Sequence, residues 1–215
     1  MSATVELVSP LTPDPAFAQP ADRATLESVA EAVRKRGIAA TVVATGADAR
    51  ALVHEIIPDG AHVFDATSRT LEAIGVAEDV LKTERYDAAR TVLNTLNPAT
   101  DMDQYRRGVA SPSVVVGSVH AVTRDGQLVI ASASGSQLAA YAFGASTAIW
   151  VVGAQKIVAD LDQALERIQR YSYPLEDART RVTYGVPSAV NKQLIISGET
   201  PGRSYLVLVE EVLGF

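Results

Sequence analysis

Two consecutive stretches decide how this chain folds: S-V-H-A-V-T-R-D-G-Q-L-V-I-A-S-A-S-G-S-Q-L-A-A-Y-A-F-G, residues 118–144, and A-I-W-V-V-G-A-Q-K-I-V-A-D-L-D-Q-A-L-E-R-I-Q-R, residues 148–170. The strand-forming run Ser113–Val122 meets the turn Arg124-Asp125-Gly126-Gln127, and Leu128–Ala131 returns. Asp-Gly between two apolar runs predicts a tight β-hairpin. Ser134 and Gln137 match the S-x-x-Q capping box, so a helix is expected with Leu138, Tyr141 and Ala142 inward and Gly144 at its end. Thr147–Val152 is unbroken apolar sequence, the pattern of a strand buried on both faces. Asp160 and Gln163 repeat the capping pattern. Behind them Leu161, Ala164, Leu165 and Ile168 fall at i, i+3, i+4 and i+7, the apolar stripe of a helix.

The flanking sequence continues the alternation. Ala21–Arg36 carries Leu26, Val29, Ala30 and Val33 at helical spacing, and Ile38–Ala44 reads as a short buried strand. Gly46–Ile57 is helical and Ala61–Asp65 is again strand. D-A-T-S-R-T-L-E-A-I-G, residues 65–75, runs from that strand into a short helix. Val80–Gly108 is polar and interrupted at Asn97-Pro98, which suggests helix, loop and helix in a covering layer or an interface. Pro174–Arg181 adds helix, and Gln193–Ser197 and Tyr205–Val212 read as closing strands. The expected fold class is therefore α/β: a mostly parallel sheet with helices on both faces and an inserted β-hairpin. Residues 21–215 form one domain in this reading. Residues 1–20, with four of the ten prolines, form an irregular N-terminal arm. Such an arm frays or wraps a neighbouring subunit, which leaves a homo-oligomer open. In sheets of this class ligands sit beyond the carboxyl ends of the strands. Three loops qualify: Ala66–Thr70, Ser132–Gln137 and Gly153–Lys156.

Composition narrows the function classes. With 47% hydrophobic and 20% charged residues the chain can bury a substantial core, and its net charge of −6 argues against nucleic acid as a partner. No apolar run approaches the roughly 18 residues of a membrane span. No secretory leader is recognisable at the N-terminus, so a cytoplasmic location is expected. The chain has no cysteine, which excludes disulfides, thiol catalysis and cysteine-held iron–sulfur centres of its own. The three histidines, His54, His62 and His120, show no ligand spacing, so neither a metal nor another cofactor is expected.

The candidate binding residues are hydroxyl-rich helix entrances and one lysine. Ser68 and Thr70, with Ser134, Gly135, Ser136 and Gln137, could hold an anion through hydroxyl and backbone N–H groups, although plain capping accounts for the same residues. Lys156 follows the buried strand closely enough for its ammonium to reach a ligand at the strand ends. Glu72, the one carboxylate of the first loop–helix motif, and His120, on the first hairpin strand, are the candidates for catalysis.

T-S-R-T-L-E-A-I-G, H-A-V-T-R-D-G-Q-L-V, S-G-S-Q-L-A-A-Y-A-F-G and Q-K-I-V-A-D-L-D-Q-A-L-E-R-I together resemble the LUD, or lactate-utilisation, domain family over most of the chain after Thr25. The resemblance implies a fold like that of ribose-phosphate isomerase and coenzyme A transferase. It also implies a stand-alone small subunit acting in L-lactate oxidation with iron–sulfur partners. Two positions depart from the family pattern: Ala73 stands where a second acidic residue is frequent, and Ser136-Gln137 where Asn and a basic residue are frequent. The function expected is binding of a small anionic ligand in lactate or organic-acid utilisation. A free-standing transferase or isomerase, using Glu72 or another cleft carboxylate, is the alternative.

Overall fold

The computed structural model describes residues 9–97 and 99–215. The first eight residues of the expected arm, and Pro98 of the Asn-Pro break, lie outside the described residues. Helix α1, Arg23–Lys35, starts where the Asp22 carboxylate accepts the Thr25 N–H at 2.8 Å. It buries Leu26, Val29, Ala30 and Val33, the face its periodicity marks. Strand β1 (Ala39–Val43) leads into α2 (Gly46–Ile56), which opens on a reciprocal capping box between Thr45 and Asp48. Then follow β2 (His62–Asp65), the short α3 (Arg69–Ala73), α4 (Val76–Lys82), β3 (Asp87–Ala88), α5 (Ala89–Leu93) and α6 (Met102–Ala110). The second half holds β4 (Val114–Gly117), β5 (Ala121–Thr123), β6 (Leu128–Ser132), β7 (Thr147–Gly153), β8 (Ile157–Val158), α7 (Leu161–Arg167), α8 (Tyr173–Tyr184), β9 (Lys192–Ile196) and β10 (Ser204–Val209).

Six strands form the main sheet in the order β1-β10-β7-β4-β2-β3, and every pair is parallel. The continuous apolar run of β7 is explained by burial on both sides. Ala148, Trp150 and Val152 join the core beneath α1, whereas Ile149 and Val151 join the core beneath α2, α3 and α4. The α/β class expected from the sequence is the class observed.

The hairpin is placed differently from the expectation. It is not inserted in the parallel sheet; β5 and β6 pair with β8 and β9 in a second sheet of order β8-β5-β6-β9. The single strand read over Ser113–Val122 is two strands, β4 in the main sheet and β5 in the second, joined by Ser118, Val119 and His120. Gln193–Ser197, read as a closing strand, supplies β9 to that second sheet rather than to the main one. Val122, Leu128 and Ile130 face the main core, while Ala121, Val129 and Ala131 pack under Ala164 and Ile168 of the α7 segment. An apolar pattern says that a strand is buried; it does not say in which sheet.

Two helix readings also resolve differently. Asp160 caps α7 by accepting the Gln163 N–H at 2.9 Å, and the Gln163 side chain reaches back to the Ala159 N–H. The matching sequence at Ser134 makes no such box. There the Ser132 hydroxyl accepts the Gly135 N–H at 2.8 Å, Gln137 Oε1 accepts hydroxyls, and only a π-helical turn, Ala140–Gly144, follows. Leu161–Tyr184 is one continuous helix with a π turn at Ile168–Ser172. Pro174 is the cause: inside a helix its ring excludes the bond to the carbonyl four residues back, a cost of about 3 kcal/mol if nothing adjusts. The freed Arg170 carbonyl accepts the Asp14 N–H at 2.8 Å, so the described part of the arm packs on its own chain. Among the described residues no helix is long and apolar enough to cross a membrane.

Candidate functional site

Neighbouring strands β2, β4 and β7 end side by side, and the segments leaving them converge on one point. Thr70 arrives on α3, Ser118 directly follows β4, and Lys156 ends the single 3-10 turn after β7. Lys156 is 2% exposed, and its Nζ lies 3.0 Å from both Thr70 Oγ1 and Ser118 Oγ. The Thr70 hydroxyl donates to the Leu213 carbonyl at 3.1 Å, and the Ser118 hydroxyl donates to the Val151 carbonyl at 2.7 Å. With their hydrogens so committed, both hydroxyls can only accept from Nζ. The sequence fits this close packing at two glycines. A Cβ on Gly117 would lie 1.8 Å from the Tyr141 hydroxyl oxygen. Gly214, at φ +63°, lets the chain pass Thr70, whose Oγ1 would be 2.5 Å from a Cβ there. The Gln155 amide clamps that passing segment by donating to the Leu213 and Gly214 carbonyls, each at 3.0 Å.

Lys156 opens on a cavity of about 370 Å³. Ser68 and Thr70, then Ser134, Ser136 and Gln137 from the loop after β6, and His120 all line it, so the structure gathers most of the sequence candidates around one space. Ser68 also caps α3, accepting the Leu71 N–H at 3.3 Å, so binding and capping coincide there. Gly135 belongs to the same loop but turns toward the Lys192 side chain rather than the cavity wall. Glu72 stands apart: it is exposed, ion-paired with Arg69, and not part of the wall. His54 bonds Tyr86 and Asp79 at 2.8 Å each, and His62 bonds Asp87 at 2.8 Å, both away from this cavity.

The electrostatics single out Lys156. Three guanidiniums on the wall are each matched to a carboxylate: Arg90 to Asp65, Arg69 to Glu72, and Arg179 to Glu176 through two bonds of 2.7 Å. Among the described residues no carboxylate pairs with Lys156. Burial disfavours its charged form, and the nearby Arg167 cation adds to this, so its pKa lies well below the ordinary lysine range. The same two effects, with Lys156 adding to Arg167, push His120 down to about 3. Its Nδ1 accepts the Ala131 N–H at 3.1 Å, which fixes a neutral ring with the proton on Nε2. Burial raises the Tyr141 phenol.

Sequence reasoning passed over Asp65, Arg90, Ser118 and the polar end of Tyr141. Asp65 is 6% exposed, its Oδ2 meets Arg90 Nε at 2.8 Å, and its Oδ1 is buried without a hydrogen bond. Desolvation accordingly raises its pKa. Arg90 Nη2 also reaches Thr67 Oγ1 at 2.8 Å, while Nη1 has no partner among the described residues. An aspartate closing an otherwise apolar strand was a usable signal for Asp65. Arg90 had none, because it lies in the polar stretch read as a covering layer.

Comparison with known proteins agrees with this architecture. The LUD domain family model matches residues 26–209, and the chain belongs to that family. A DUF162 family protein from Deinococcus radiodurans, known from its crystal structure, is similar in fold, with a TM-score of 0.55 at 15% sequence identity. The match covers 88% of this chain and 99% of that one. No curated protein matches the chain in sequence.

Proposed function

We propose that this LUD-domain protein binds a small anionic metabolite, a carboxylate or a phosphate, in the cavity at the ends of β2, β4 and β7. In this reading it serves lactate or related organic-acid utilisation in the cytoplasm, beside iron–sulfur redox subunits that carry the electrons. One observation carries the proposal: Lys156 is a basic group buried on the cavity wall with two hydroxyl acceptors and, among the described residues, no counter-charge. An unpaired ammonium in such a place is costly, and an entering anion supplies the missing charge together with an acceptor for the third N–H. Arg90 Nη1 and the Ser68 hydroxyl offer further donors around the same space. The transferase alternative has less to draw on. Glu72 is off the wall, and the side-chain carboxylate on it, Glu176, has both oxygens held by Arg179.

Thermal denaturation with added L-lactate, pyruvate or inorganic phosphate tests the reading. At least one of these should raise the melting temperature of the native protein, and Lys156→Met should lose about tenfold or more in affinity for it, the cost of one charged hydrogen bond. Equal stabilisation of native protein and Lys156→Met would remove Lys156 from the site.

A further inference from the structure

We infer that Lys156 is an amine nucleophile and that the cavity takes a small oxo acid, whose carbonyl carbon Nζ attacks to form a Schiff base. The inference rests on the reading that the cavity takes an anion, and it adds the carbonyl and the covalent step.

Hydrogen-bond inventory carries the argument. An ammonium has three N–H donors and no lone pair; a neutral amine has two donors and one lone pair. Around Lys156 the structure provides two acceptors, Thr70 Oγ1 and Ser118 Oγ, at equal distances of 3.0 Å. Neither can turn to donate to nitrogen, because each hydroxyl hydrogen is held by a backbone carbonyl, Leu213 for Thr70 and Val151 for Ser118. The surroundings therefore match a neutral amine whose remaining position, the lone pair, has no partner among the described residues. The other nearby cation, Arg167, opposes a positive charge at Nζ. A lysine held in this way is activated by burial beside a second cation, a recognised route to Schiff-base chemistry.

The substrate class follows from the two kinds of group on the wall. An amine nucleophile calls for a carbonyl carbon. Guanidinium and hydroxyl donors, Arg90 with Ser68, suit a carboxylate on the same molecule. Nζ adds to the carbonyl carbon to form the C–N bond, and the carbonyl π pair becomes the hydroxyl of a carbinolamine. That hydroxyl then leaves as water, carrying away both amine hydrogens with the former carbonyl oxygen. The products are one imine and one water, and no oxidant or reductant is consumed.

The chain has four lysines, Lys35, Lys82, Lys156 and Lys192, which makes the test specific. The other three are exposed. At neutral pH an ordinary lysine is uncharged in only about one molecule in a thousand. The full chain is incubated at pH 7 with pyruvate and sodium cyanoborohydride, which reduces an imine to a stable secondary amine. Intact mass and peptide mapping follow. The expected result is one reduced adduct per chain, on Lys156, absent from Lys156→Arg and present as in native protein in Lys82→Arg. L-lactate, which has no carbonyl, should give none. Melting curves establish that the variants are folded. If pyruvate stabilises the protein but leaves no adduct on Lys156, the covalent step is wrong and anion binding stands. If neither adduct nor anion-dependent stabilisation is seen, both readings fall. Adducts spread over Lys35, Lys82 and Lys192 without preference for Lys156 also overturn it.

Discussion

Lys156 and Arg167 are both buried basic groups without a carboxylate partner among the described residues, both close enough to His120 to depress its pKa, yet the fold treats them differently. Arg167 is fully buried in the middle of the long helix. It donates to the backbone carbonyls of Gln155 and His120 and to the Ser172 hydroxyl at 2.9 Å, and it stacks on Tyr171 at 5.0 Å. Its donors tie the segment after β7 and the β4–β5 junction to the π turn, so the role is structural. Burial lowers its pKa only to about 10, and the delocalised guanidinium keeps its proton at neutral pH. Lys156, a compact point charge held by two acceptors beside a cavity, has its pKa lowered well below the ordinary lysine range. Equal burial thus leaves one group a charged brace and the other a base that gives up its proton far more readily.

Three measurements press on this contrast, beyond the ligand and trapping experiments. The largest effect is expected for Arg167→Met, which leaves two backbone carbonyls and a serine hydroxyl without their donor. A loss of about 3 kcal/mol in urea unfolding is expected, and a loss comparable to a surface substitution would deny Arg167 its bracing role. Lys156→Met should act in the opposite direction at pH 7. Burial lowers the folded-state pKa of this lysine well below the ordinary value of about 10.4 that the unfolded chain keeps. The unfolded state therefore binds more protons below that pH, and the native lysine costs stability there. The variant should have the higher urea midpoint, and its advantage should shrink as pH rises toward about 10.4. A midpoint difference independent of pH would show that Lys156 keeps its charge in the fold. The smallest effect belongs to His120→Gln. With a folded pKa of about 3 against an ordinary 6.5, the native protein should lose stability as pH falls between those values. The variant's midpoint should fall less between pH 7 and pH 4, and parallel declines would place the acid sensitivity elsewhere.

The same contrast explains how much was legible in advance. Helices α1, α2 and α7 follow from caps and apolar stripes, because those signals act within one turn of backbone. Asp160-x-x-Gln163 and Ser134-x-x-Gln137 show the limit. The first starts a helix whose Ala164 and Ile168 pack against the second sheet. The second became a hydroxyl-lined loop, because Ser132 took the Gly135 N–H and drew the Gln137 side chain into hydroxyl contacts. Ser68, Thr70 and Lys156 were readable as a group, since each follows a strand at the same end of a parallel sheet. Ser118 was not, because the break between β4 and β5 lies within a run that is strand-forming throughout.

By itself the sequence determined the α/β class, the order of its elements, the buried character of β7 and the family. All of these depend on spacing, local capping and the amount of apolar side chain to be hidden. Tertiary structure alone decided the sheet in which the hairpin sits and the lowered pKa of Lys156. The physical reason is that a lysine's charge depends on what surrounds its nitrogen. Here those neighbours are Thr70, Ser118 and Arg167, brought together from distant parts of the chain.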